Sequence, residues 1–155
     1  MFLTRTPVLI FLFLAMLAIG YSFSGVRAAV DGPILDMLMT GEAAQARLAE
    51  LNAEQRRAHF WATILNDTAY PLAYGGLLAG LALRFGGKTL AIPAAGAALT
   101  DLAENTVQAL ALSGTADLLV AKTVLTPLKF GLFALAAVIA LGLLLRSGWR
   151  ALQSR

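Results

Sequence analysis

Four apolar stretches, each about as long as a membrane crossing, alternate with short polar segments along the chain. They cover residues 8–26, 60–83, 90–112 and 122–145. A transmembrane helix needs about 20 predominantly apolar residues. The pattern therefore predicts an all-α polytopic membrane protein with four transmembrane helices, in which the 155 residues form a single membrane domain.

The sizeable polar region lies between the first two stretches, and it also has a helical pattern. Within residues 34–58, apolar positions recur at helical spacing while charged residues take the other faces. This predicts a short amphipathic helical segment on the outer side, against the bilayer surface or the other helices. Asn52 followed by Gln55 has the form of a capping box and predicts a helix that begins at Ala53 and runs into the second span.

Three polar or aromatic side chains fall at the predicted membrane boundaries. His59 and Trp61 lie at the entry of the second span, where basic and aromatic side chains favour the headgroup layer. We interpret both as interfacial anchors rather than as catalytic groups. Lys122 begins the fourth span and is expected at headgroup level.

Composition supports the membrane class and removes several kinds of chemistry. The chain is 59% hydrophobic with a mean hydropathy of +0.75, outside the usual range of soluble domains. It has no cysteine and one histidine, which excludes disulfides, thiolate nucleophiles, iron–sulfur clusters and multi-histidine metal sites. Carboxylate-bound cations are the remaining plausible metal chemistry. We expect no cofactor and no resident metal.

Basic residues concentrate on one side of the predicted membrane, although the sequence pI near 9.7 could suggest a nucleic-acid partner. The flanks and loop of that side contain six basic residues and no acidic ones: Arg5, Arg84, Lys88, Arg146, Arg150 and Arg155. The opposite side holds Asp31, Asp36, Glu42, Glu50, Glu54 and Asp117. This asymmetry follows the positive-inside rule. It predicts a multi-pass protein of the cell inner (plasma) membrane with both termini cytoplasmic and no nucleic-acid partner.

The first span also has to be distinguished from a signal peptide. Val26, Arg27 and Ala28 place an arginine where a cleavage site needs small residues. We expect a retained anchor.

Ionisable side chains inside the apolar stretches are the most informative polar feature. Asp67, Asp101, Glu104 and Lys129 each cost roughly 2.5–3.5 kcal/mol at the membrane centre. Counting from the outer ends of the spans places them near one layer in the outer half of the membrane. Three carboxyls would then face Lys129 as their only cation.

The polar residues of each span share one helical face, which predicts a common binding or structural site inside the bundle. On the third span they follow i, i+3, i+4 and i+7 spacing, and Lys122, Thr126 and Lys129 line up similarly on the fourth. The candidate binding residues are Asp67, Tyr70, Tyr74, Asp101, Glu104, Asn105, Gln108 and Lys129.

Proline interrupts the second span beside this layer. Pro71 follows Asp67 by four residues and removes the helical hydrogen bond that would reach the carbonyl of Asp67. Such a kink is tolerated where side chains or water satisfy the freed group. We expect a small hydrated pocket that opens to the outside.

The motifs of this layer occur together in a known kind of protein. The chain has Asp67-x-x-Tyr70-Pro71-x-x-Tyr74, then Asp101-Leu102-x-Glu104-Asn105, then Pro127-x-Lys129. In these motifs it resembles a family of uncharacterised bacterial four-helix integral membrane proteins with D-x-x-Y-P-x-x-Y and D-x-x-E-N helices and a lysine in the final helix. The resemblance implies that the polar cluster is a feature of the family, and it implies no activity.

The sequence leaves function between two main hypotheses. The favoured one is a non-enzymatic helix bundle that binds a lipid, a cation or small molecule, or a membrane protein partner. The alternative is an integral membrane enzyme for a lipid-like substrate, with Asp67 and Glu104 as the acid/base pair and Lys129 positioning an anionic headgroup. Proton or cation transport is weaker, because the cytoplasmic halves of the spans are rich in Ala, Gly and Leu. A purely structural role for the cluster stays equally open.

Overall fold

Six α-helices make up most of the protein in the computed structural model, which describes residues 2–153 and contains no strand in that range. The helices are α1 (Thr6–Ala29), α2 (Gly41–Glu50), α3 (Ala53–Ala62), α4 (Thr68–Phe85), α5 (Ile92–Leu112) and α6 (Lys122–Gln153). Short 3-10 turns occur at Phe2–Thr4, Leu35–Met37, Thr89–Ala91 and Leu119–Ala121. The all-α prediction is confirmed.

A π-helical segment, Thr63–Asp67, joins α3 to α4, so the chain runs as one interrupted helix from Ala53 to Phe85. The predicted capping box starts it, since Asn52 and Gln55 exchange side-chain and backbone hydrogen bonds. Single π-helical turns are frequent at functional sites. Here the π segment ends on Asp67, one of the candidate site residues.

The other three long helices pack around α4, which contacts α1, α5 and α6, while α5 and α6 also pack on each other. Small residues allow the close approach of α4 to its neighbours. A Cβ added at Gly75 would lie 2.7 Å from the Cβ of Ala98, and one added at Gly80 would lie 2.6 Å from the carbonyl oxygen of Leu3. Close backbone approach of this kind is typical of helix packing in membranes.

Two helical segments, Thr6–Ala29 and Leu119–Gln153, are long and apolar enough to cross a membrane. The prediction of four spans is therefore supported only in part. α4 has 18 residues once the π segment is set apart, and α5 carries a row of polar side chains among its alanines. The short length of α4 and the polar row of α5 distinguish these helices from α1 and α6.

The helix bounds depart from the predicted spans mainly at the ends. α1 extends the first predicted span at both ends, and α6 continues eight residues past residue 145 to Gln153. The predicted outer segment, residues 34–58, resolves into the turn Leu35–Met37, then α2, then the first part of α3.

The outer segment packs on the ends of the long helices through a hydrophobic core of its own. Its buried residues are Val30, Ile34, Leu35, Ala44, Leu51, Ala111, Leu112 and Leu119. Gly41 begins α2 directly on the backbone ahead of α6, because a Cβ there would lie 2.5 Å from the carbonyl oxygen of Leu119. This docking brings Leu35–Met37 against the C-terminal part of α5 and the N-terminal part of α6.

Candidate functional site: a buried polar cluster

Glu104 on α5 lies at the centre of a cluster of buried charged groups. Its carboxylate forms an ion pair with Lys122, accepts a hydrogen bond of 2.7 Å from the Thr126 hydroxyl, and lies 2.9 Å from the Nζ of Lys129. All four side chains are buried. Their α6 members follow i, i+4 and i+7 spacing, which places them on the one face that meets Glu104.

Lys129 is surrounded by three carboxylates from different parts of the chain. Its Nζ lies 2.6 Å from Oδ1 of Asp36, 2.9 Å from Oε2 of Glu104 and 3.4 Å from Oδ1 of Asp101. Such pairing compensates an ammonium group that the surrounding apolar helices could not solvate. Lys129 thus connects α5, α6 and the outer segment.

Tyrosine and phenylalanine rings line the cluster on the side of α4. The Tyr74 hydroxyl donates a hydrogen bond of 2.9 Å to Oδ2 of Asp101. Tyr74 also makes edge contacts with the rings of Tyr70 and Phe133. The predicted stripe of α4 therefore meets that of α5 at a carboxylate with an aromatic wall.

Asp67 lies at the edge of this network. Its backbone carbonyl accepts a hydrogen bond from the side-chain amide of Asn105. Its carboxyl group forms no ion pair with any residue in the range 2–153. Asp67 is thus buried near the charged groups without reaching Lys129.

The structure brings together most of the predicted site residues and adds two charged ones. Gln108 lies 3.5 Å from both Asp36 and Glu104 at the end of the α5 stripe. Neither residue was predicted to join the cluster: Asp36 was counted among the charges of the outer side, and Lys122 was expected at headgroup level. Lys122 is fully buried, because its alignment with Lys129 on α6 points it at Glu104.

Including Asp36 and Lys122 changes the number of charged groups in the cluster but leaves its formal net charge the same. The cluster contains Asp36, Asp67, Asp101 and Glu104 against Lys122 and Lys129. Four acidic and two basic side chains give the same formal excess of two negative charges as the predicted set. Lys129 is not the only buried cation.

The interpretation of His59 as an interfacial anchor was also wrong, since its side chain is 1% exposed. The ring Nε2 accepts a hydrogen bond of 2.8 Å from the backbone N–H of Leu35, and Nδ1 lies 3.3 Å from the Thr63 hydroxyl. Burial lowers the pKa of His59 below its ordinary value of 6.5. A neutral ring therefore holds the turn that carries Asp36. Trp61 is half exposed, as an anchor would be.

A small cavity of about 120 Å³ opens beside the cluster. It is lined by Asp36, Tyr70, Tyr74, Asp101, Lys129, Phe130 and Phe133. Charged groups and aromatic faces therefore meet in one space. Asp67, Glu104, Asn105 and Gln108, which the sequence placed in the same set, do not line this cavity.

Three carboxylates of the cluster are close enough to share a cation. One oxygen each from Asp36, Asp101 and Glu104 lie within 4.8 Å of one another, and carboxylates are suitable ligands for hard cations. The Nζ of Lys129 lies within 3.4 Å of all three groups. A metal ion bound there would have to displace this ammonium group.

No protein-family model, curated protein or solved structure matches the chain. The family resemblance drawn from the aspartate, tyrosine and lysine motifs therefore stays a prediction, and the chemistry of the cluster carries the argument about function.

Proposed function

We propose that the protein is a small integral membrane helix bundle that binds a lipid or small-molecule ligand, without catalysis, at the cavity beside Lys129. In this proposal four elements cross the cell inner membrane. They are α1, the interrupted helix through its α4 part, α5, and α6. Both termini are cytoplasmic, and the cluster lies in the outer half of the bilayer.

The distribution of side chains supports four spans. At 1.5 Å per residue, the 18 residues of α4 and the 21 of α5 extend about 27 and 31 Å, close to the thickness of the hydrocarbon core. The cluster residues of α5 are buried, whereas Ile92 and Leu99 on the same helix are more than 60% exposed. Charged groups turned inward and apolar groups turned outward are what lipid requires.

Charged groups that face an open cavity carry the proposal of a ligand site. Asp36 and Asp101 face an open cavity instead of packed side chains. A cluster that only fixed the register of the helices would gain nothing from that cavity.

The enzymatic alternative has less support from this geometry. One member of its acid/base pair, Glu104, is already engaged by Lys122, Thr126 and Lys129. Neither Glu104 nor Asp67 lines the cavity in which a substrate would lie. A general acid or base must reach the proton that it transfers directly or through one water.

The test is identification of what co-purifies with the protein, by native mass spectrometry and lipidomics from neutral detergent micelles. We expect about one ligand per chain in the native protein, its loss in Asp101→Asn, and its retention in the control Asp117→Asn. Asp117 lies on the outer surface, where it accepts a hydrogen bond from Gln45. Absence of any ligand from the native protein, or equal retention in both variants, would overturn the proposal.

A further inference from the structure

An apolar groove runs along the bundle between α1 and α6, with α4 as its floor. It has a volume of about 440 Å³. Every residue that lines it except Thr6 is apolar, including Phe13 of α1, Leu77 and Leu81 of α4, and Ala137 of α6. An open groove with these walls provides dispersion contacts for a hydrocarbon chain.

The groove and the polar cavity meet at one residue. Phe133 lines both of them, so the apolar groove and the space bounded by Asp101 and Lys129 are adjacent at this ring. Between Phe133 and Leu144, the groove follows α6 for about 16 Å at 1.5 Å per residue, which is close to the length of an extended dodecyl chain. In the proposed orientation this path leads from the outer half of the membrane toward the cytoplasm.

The polar end of this path has the chemistry of a cation site. Its lining holds two carboxylates, Asp36 and Asp101, against the single ammonium of Lys129. The rings of Tyr70, Tyr74, Phe130 and Phe133 complete the lining, and aromatic faces attract ammonium groups. A volume of about 120 Å³ suits a small headgroup.

We propose that the ligand is an amphiphile with a small ammonium headgroup and one alkyl chain, the headgroup in the cavity beside Asp36 and Asp101 and the chain in the groove along α4. This inference rests on the proposed function, because it names the ligand class of the same site. Anionic headgroups are excluded because the two carboxylates would repel them. An alkyl chain is required to fill the groove, so a small free amine should not bind.

The direct test compares four probes in neutral dodecyl maltoside micelles, with binding read by native mass spectrometry and thermal shift at equal mole fraction. The probes are dodecylamine, dodecyltrimethylammonium, dodecanoate and ethylamine. We expect saturable binding of one or both dodecyl cations, at least tenfold weaker binding of dodecanoate, and no measurable binding of ethylamine. Equal binding of dodecanoate would overturn the cationic headgroup, and equal binding of ethylamine would overturn the role of the groove.

A matched pair of variants tests the groove. Ala137→Trp fills it, whereas Ala134→Trp places the same side chain on the exposed face of the same helix, outside the groove. We expect at least a tenfold loss of dodecyl cation binding in the first variant and an unchanged value in the second. Equal affinity in both variants would overturn the inference, as would a change of oligomeric state in Ala137→Trp alone, which would make the groove a protein interface.

The outcomes separate this inference from the proposed function. If the native protein retains a co-purified lipid but binds no dodecyl cation, the proposed function stands and the proposed ligand class is wrong. If it carries no lipid and binds none of the four probes, both proposals are wrong.

Discussion

The side-chain amide of Asn105 donates a hydrogen bond to the backbone carbonyl of Asp67, the acceptor that Pro71 leaves without a helical partner. The proline has no N–H, so the freed carbonyl needs a donor from elsewhere. Asn105 supplies it from α5 and so ties the π-helical segment Thr63–Asp67 to the polar stripe of that helix. The kink, the π segment and the stripe are therefore parts of one arrangement.

Replacing Asn105 by Ala should destabilise the protein by about 1–3 kcal/mol, because the carbonyl of Asp67 would be buried without a donor. Adding Pro71→Ala restores an N–H four residues after Asp67 and should recover part of that loss. Thermal unfolding of the two single variants and the double variant gives the coupling energy. Thr106→Ala, on the exposed side of α5, is the control, and additive effects of the two site substitutions would contradict the relationship.

Helical periodicity is sufficient to predict the contacts that run between neighbouring helices of the bundle. The spacing on α5 and α6 brings Glu104 to face Lys129, because both residues lie inside long regular helices. Lys122 shares that face of α6, but its position at the start of the span suggested headgroup level and not the contact with Glu104. The missing hydrogen bond at Pro71 likewise predicts that a side chain must satisfy Asp67. Both inferences depend only on helical periodicity and on the missing N–H of proline.

Asp36 could not be predicted in the same way. It lies in an irregular turn, and its position depends on how the outer segment docks: on the backbone contact at Gly41 and on the hydrogen bond from Leu35 to His59. Neither contact has a periodic signal, and a single acidic residue near a membrane boundary more often marks a solvated surface. The burial of His59 escaped prediction for the same reason.

Lys129→Met should cost about 3–5 kcal/mol, the usual loss when one partner of a buried ion pair is removed. Because Asp36 is the nearest carboxylate at 2.6 Å, adding Asp36→Asn should recover part of this loss. Adding Asp67→Asn should recover less, since Asp67 forms no ion pair with Lys129. Thermal stability in detergent measures all three variants. A Lys129→Met protein as stable as the parent would refute the pairing.

Topology can be measured cleanly because the chain has no native cysteine. We expect Ser113→Cys, in the turn after α5, to react with a membrane-impermeant maleimide added to intact cells. Gly86→Cys, beside the basic loop, should react only after the cells are opened, because the positive-inside rule places it in the cytoplasm. Labelling of Gly86→Cys from outside would contradict the four-span arrangement with cytoplasmic termini.

His59 should make the stability of the protein depend on pH. In the folded state burial lowers the pKa of the ring below 6.5, so the unfolded chain binds more protons just below pH 6.5. Stability then rises with pH: the contribution of His59 is fully present above pH 6.5 and is lost as the pH falls toward the lower folded-state pKa. The slope is at most about 1.4 kcal/mol per pH unit for one group.

The charged groups around His59 come from three elements, since Asp36 acts to raise its pKa while Arg47 and Lys122 act to lower it. His59→Gln keeps an acceptor for the N–H of Leu35 and removes the titration. Midpoints of thermal unfolding, measured between about pH 7.5 and 5.5, should fall more steeply in the native protein than in this variant, because both share every other titrating group. Parallel curves would show that the ring does not titrate with folding, and a native curve that rises on acidification would reverse the sign derived from its burial.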